Sequence, residues 1–190
     1  MVKVKKEDFI KKYNVVNFSW NKWTSKAIKI GTQSHWSHTG IIVGNTGDVV
    51  QILEASPKGN KIEEYPIEWM RKAYEDKVIE IIDFGINPKI DDLYWNEWIS
   101  HNKIYGFESI LALILYKLGF KTNINIVGTV ICSELVSKLL YILSNKTILL
   151  GYNPKQIDEK YKSEYNVEFW RVEPKHISLS KYGERLRLEE

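Results

Sequence analysis

A single cysteine, Cys132, is the whole thiol content of this 190-residue chain. No disulfide within the chain is possible, folding does not depend on an oxidising compartment, and the one thiol is free for chemistry. Long hydrophobic runs are missing as well. The longest spans residues 110–116 and stops at Lys117, far short of the roughly 20 residues that cross a bilayer. The opening Met1-Val2-Lys3-Val4-Lys5-Lys6 has no apolar core of a secretory signal, so the expected location is cytoplasmic or virion-associated. Nor is there a large surplus of one charge. Lys and Arg number 27 against 24 Asp and Glu, a net +3, and the densest basic stretch, residues 3–12, is broken by Glu7 and Asp8. Nucleic-acid binding would call for a one-sided basic stripe; these charges read as solvated faces, and no nucleic-acid partner is expected.

What remains is ordinary globular usage, 44% hydrophobic and 27% charged. The length suits one domain, residues 1–190, with a real core. No repeat, low-complexity tract or Pro/Gly-rich linker divides it. Aromatics, at 13%, belong mostly to core and its margin.

Periodicity predicts a helix over residues 18–29, with Trp20, Trp23, Ala27 and Ile28 on one face and Gly31 as its stop. Residues 39–43 and 49–55 read as a hairpin closed by Asn45-Thr46-Gly47-Asp48. A turn at Pro57-Lys58-Gly59-Asn60 leads to a third strand over 61–65, a short helix over 66–74 and a strand over 77–84. Helices follow over 91–102, 107–118 and 133–143, the last with Leu135, Val136, Leu139, Leu140 and Leu143 on one face, and a late strand over 167–172. Strands first and helices afterwards indicate an α+β domain, an antiparallel sheet packed against helices.

Cys132 follows Val127-Gly128-Thr129-Val130-Ile131 at the start of the third of these helices. Unpaired N–H groups and the helix dipole there favour thiolate over thiol, and the same N–H groups can hold an oxyanion. Position alone leaves open a small buried core residue. His38 enters a strand, where its ring can be aimed to take a thiol proton. Its other nitrogen then needs an acceptor. Glu54, within apolar Ile52-Leu53-Glu54-Ala55 on the returning strand, can supply it, and a carboxylate on a buried face needs a partner. His35, His38, Cys132 and Glu54 are all competent zinc ligands. On an extended strand, however, His35 and His38 would point apart, and no metal is expected. His101 and His176 read as solvated, and Glu134 as a structural aid to the helix start.

The pattern Thr32-x-Ser34-x-Trp36-Ser37-His38-x-Gly40-Ile41, then Glu54-Ala55, Tyr105-Gly106-Phe107 and Cys132-Ser133-Glu134-Leu135-Val136 resembles the circularly permuted papain-like peptidases of the NlpC superfamily, in the YiiX-like branch. In that branch the histidine strand precedes the cysteine helix, as here. The chain departs in carrying Gly31-Thr32 where the family opens with Gly-Asp. The resemblance implies a papain-like fold and a catalytic Cys132–His38 pair oriented by Glu54, without a cofactor. Trp36, Ser37 and Tyr105, in the same motifs, become the candidate substrate-binding residues. The implied activity is a cysteine hydrolase acting on an amide, as in cell-wall-type peptides. The expected partner is thus a peptide or an acylated small molecule. A lipid ester or thioester hydrolase or acyltransferase of the lecithin retinol type is the enzymatic alternative. A non-catalytic module binding peptide or lipid on the same fold is the other.

Overall fold

A computed structural model describes residues 2–4, 9–56, 59–87, 104–105, 129–130, 132–144, 147–148, 150 and 174–188. The chain opens with β1 (Val2–Val4), β2 (Val15–Phe18) and α1 (Trp23–Thr32). A meander follows, β3 (His38–Asn45), β4 (Val49–Ser56) and β5 (Gly59–Pro66), then α2 (Ile67–Glu75) and β6 (Ile79–Asp83). Later come β7 (Ile104–Tyr105), β8 (Thr129–Val130), α3 (Cys132–Leu143), α4 (Pro174–Ser178) and β9 (Glu184–Leu188).

Seven strands form one sheet in the order β1-β9-β6-β2-β3-β4-β5. Neighbours from β9 to β5 are antiparallel, and β1 adds to the edge parallel to β9. A separate parallel pair sets Ile104 beside Thr129 and Tyr105 beside Val130. Both faces of the large sheet are covered. On one, Met70 and Ala73 of α2 pack with Val16, Phe18, Ile42 and Ile52. On the other, Leu135, Val136, Leu139 and Leu140 of α3 pack with Ile41, Val43 and Leu53. A Leu taken wholly out of water contributes about 2 kcal/mol. The apolar face of α3 therefore fixes the helix to the sheet, and Cys132 at its first position is fixed with it.

The hairpin and the cysteine helix stand where periodicity puts them, with β3 three residues longer and β4 one. The predicted helix over 18–29 is corrected. Phe18 belongs to β2, paired with His38 and Ile79, and the helix starts at Trp23 and runs past Gly31. It ends at Gln33, which takes a left-handed φ of 50°; the Gln33 N–H donates to Ile30 O and the Ser34 N–H to Lys29 O. Gly59 and Asn60, read as turn, open β5. The helices expected over 91–102 and 107–118, the strand over 167–172, and His101, Gly106 and Phe107 lie outside the described residues.

Candidate active site

Cys132 is the first residue of α3 and 4% exposed. Its sulfur meets the His38 ring and the backbone N–H groups of Thr39 and Ser133. The helix start is braced internally: Ser137 Oγ donates to Ser133 O at 2.6 Å, and Glu134 pairs with Lys138 one turn on, which accounts for Glu134 structurally.

His38 is the first residue of β3, and its Nε2–H donates to Glu54 Oε2 at 2.7 Å. With Nε2 occupied, Nδ1 is the nitrogen left for the thiol. The register explains how the ring meets both partners. Gly40 lies opposite Glu54, so His38, two residues earlier on the same face, reaches Glu54 diagonally across a position without a side chain. Cys132 belongs to the core cluster on the opposite face. At the end of the strand the imidazole touches both.

At Gly40 the neighbouring strand leaves no room for a side chain. A Cβ there would stand 2.5 Å from Ile52 Cγ2 and 3.1 Å from Leu53 O. Gly40→Ala is expected to destabilise the fold by about 2 kcal/mol and to loosen the His38–Glu54 bond. The urea-unfolding midpoint reads the first effect; an unchanged midpoint would mean that β3 and β4 separate without cost.

The pair is electrostatically committed. Burial pushes the Cys132 thiol up, but the His38 ring and the two N–H groups outweigh it and hold the thiol below its ordinary 9.0. Burial pulls His38 down, and Cys132 with Glu54 outweighs that, raising the imidazole from 6.5 to about 10. A thiolate–imidazolium pair is the state that both directions favour.

Glu54 has a second partner that sequence reasoning missed. Tyr65 of β5 hydrogen-bonds its carboxylate, and burial followed by that charge raises the hydroxyl above its ordinary pKa, so it stays a donor. The Tyr65 ring is held by Trp69 at 5.2 Å and Phe18 at 5.7 Å, and Phe18 also lies 5.6 Å from the His38 ring. The only signal in the sequence is that Lys61, Glu63 and Tyr65 share one face of a strand.

The candidate substrate residues diverge. Ser37 is 2% exposed, and its hydroxyl donates to Phe18 O at 3.3 Å and accepts from Trp20 N–H at 3.2 Å. It holds the entry into β3 and is not presented at the surface. Trp36 is half-buried, its indole N–H donating to Ser178 Oγ at 3.3 Å, and it lines a 410 Å³ pocket with His35, Glu80 and Arg185. Neither Cys132 nor His38 lines that pocket. Tyr105 pairs through its backbone with Val130, two residues before Cys132.

His35 stands apart from the site. Its ring meets Trp36 edge-on at 4.6 Å, and its Nε2 lies 3.4 Å from Lys77 O. Cys132 and Glu54 take different nitrogens of one imidazole and so do not converge on a common point. Among the described residues, no group of three or more His, Cys, Asp or Glu could hold a metal ion.

No family model matches the chain, and no curated protein matches it by sequence. A solved structure does. The crystal structure of the metalloprotein YiiX from Escherichia coli O157:H7 aligns with a TM-score of 0.51 at 16% identity, over 95% of this chain and 98% of that one. The chain has a YiiX-like fold. The likeness spans nearly the whole of both chains. Among the described residues no helix is long and apolar enough to cross a membrane.

Proposed function

We propose that the protein is a cysteine hydrolase with a permuted papain-like site, cleaving an amide bond through an acyl-enzyme on Cys132. The observation that carries this reading is the His38 ring, held between the Cys132 sulfur and the Glu54 carboxylate. A merely buried cysteine needs neither partner. Nδ1 of His38 takes the thiol proton, and the thiolate attacks the carbonyl carbon of the substrate. The N–H groups at the start of α3 face the developing oxyanion. The imidazolium gives its proton to the leaving amine as the C–N bond breaks, which leaves a thioester. Water, deprotonated by His38, then attacks the thioester and releases the acid and the thiol. Glu54 keeps the tautomer and stabilises the imidazolium throughout.

YiiX is described as a metalloprotein. In this chain Cys132, His38 and Glu54 fit a proton relay better than a coordination sphere, because two of the three donors are spent on the third. No step of the reaction is routed through a metal.

With one thiol in the chain, intact mass reads the site directly. Iodoacetamide should add once, at Cys132, with a reactivity midpoint below 9.0. A panel of activated esters and peptide amides should then leave an acyl adduct on the same residue. A midpoint at or above the ordinary thiol value would sink the ion pair and the hydrolase with it.

A further inference from the structure

The two most exposed large hydrophobic side chains among the described residues stand on one helix. Trp23 is 75% and Ile30 79% exposed, both on α1. They are seven residues apart, two turns, and exposed Ala27 lies between them on the same stripe. Exposed Lys22 and Lys26 run alongside at the same spacing. The helix contains no acidic residue. On its inner side Ser25 is buried and the Lys29 ammonium donates to Ser19 Oγ at 2.7 Å. Partial burial and then Lys26 hold the Lys29 pKa below its ordinary value.

An apolar stripe left in water beside a row of uncompensated cations calls for a partner that is both apolar and anionic. Its size decides which. Ten residues of helix are about 15 Å long and expose one side only, a footprint of roughly 150 Å². A stable protein interface takes about 800 Å² from each partner. A lipid surface has no such threshold, because headgroups and acyl chains close around a small wedge. Trp belongs at headgroup depth, and lysine stems cover apolar surface while their ammonium groups reach phosphate. We propose that α1 is an interfacial docking helix, inserting Trp23, Ala27 and Ile30 into an anionic lipid surface with Lys22 and Lys26 on the headgroups. This surface is separate from the chemistry at Cys132, and its readout needs no turnover.

The test is flotation of the full chain with mixed phosphatidylcholine–phosphatidylglycerol vesicles and with pure phosphatidylcholine vesicles. Wild type should float with the mixed vesicles and lose that association at high salt. Trp23→Ser with Ile30→Ser should weaken it on the order of a hundredfold. Lys22→Glu with Lys26→Glu should remove the preference for anionic vesicles, about tenfold or more. All four side chains are exposed, and matching thermal melts verify that the variants are folded. Absence of wild-type binding to the mixed vesicles overturns the proposal, as does equal binding by the double serine variant. Binding to a polyglutamate resin through α1, with none to vesicles, would also overturn it and assign the face to an acidic protein.

Discussion

Cys132→Ala is expected to abolish turnover, a loss on the order of 10⁶-fold if binding and the remaining N–H donors are all that is left. No other thiol exists in the chain to replace it. The variant should stay folded. Cys132 contributes a small side chain to the cluster beneath α3, and removing its sulfur costs about 1 kcal/mol, partly offset by relief of a buried charge. Turnover of the best substrate from the acylation panel and a thermal melt of each protein make the comparison. Activity retained in a folded Cys132→Ala would end the hydrolase reading. The fold would then be better read as a module that binds peptide or lipid without chemistry.

Much of this site is legible in the sequence because its parts are local. Leu135, Val136, Leu139 and Leu140 repeat at helical spacing and locate the cysteine at a helix start. Asn45-Thr46-Gly47-Asp48 locates the hairpin, and Glu54 among apolar neighbours announces a buried carboxylate that needs a partner. Legibility fails where both faces of an element are buried or where contact depends on register. β2 is buried at all four positions, so it shows no alternation, and Asn17 interrupts its apolar run. Asn17 fits there because its Nδ2 reaches Glu80 Oε2 at 3.2 Å, a contact supplied by a strand 63 residues on. Arg185-Leu186-Arg187-Leu188 does alternate, yet two apolar positions do not distinguish a strand from a polar tail.

The same limit applies inside the site. The hairpin alone brings Glu54 to His38, but that they meet diagonally across Gly40 follows only once the β3–β4 register is known. Tyr65 enters through a third strand whose register places it opposite Val50, four residues from the Glu54 position. Its hydroxyl reaches the carboxylate along the strand, a contact that no linear pattern encodes. Ser37 shows the converse. Its place in the histidine motif implies the substrate surface, and only the fold reveals its hydroxyl turned inward to Phe18 and Trp20.

His38→Ala should come close to the loss seen in Cys132→Ala, about 10⁴-fold or more at neutral pH, because every proton transfer passes through the ring. The pH profile separates this from general damage. In the wild type the reactive thiolate–imidazolium pair forms as pH rises through the depressed thiol pKa and is lost as pH passes the imidazole value of about 10. Without the ring, burial still opposes the thiolate and the largest counterweight is gone. Alkylation of His38→Ala should therefore need pH near or above 9.0, and the bell should collapse to a single rising limb. Glu54→Gln should be clearly milder, about 10²-fold at most. Its amide oxygen still accepts from Nε2–H, and its NH₂ can donate to the Tyr65 hydroxyl, so geometry survives while the charge that stabilises imidazolium does not. Its signature is a fall in the upper limb of the bell, from about 10 toward the ordinary histidine value, with the thiol still alkylated at lower pH than in His38→Ala. A Glu54→Gln protein as impaired as His38→Ala would show that the carboxylate does more than orient and stabilise. A His38→Ala protein whose alkylation profile matched the wild type would show that the imidazole does not control the thiol.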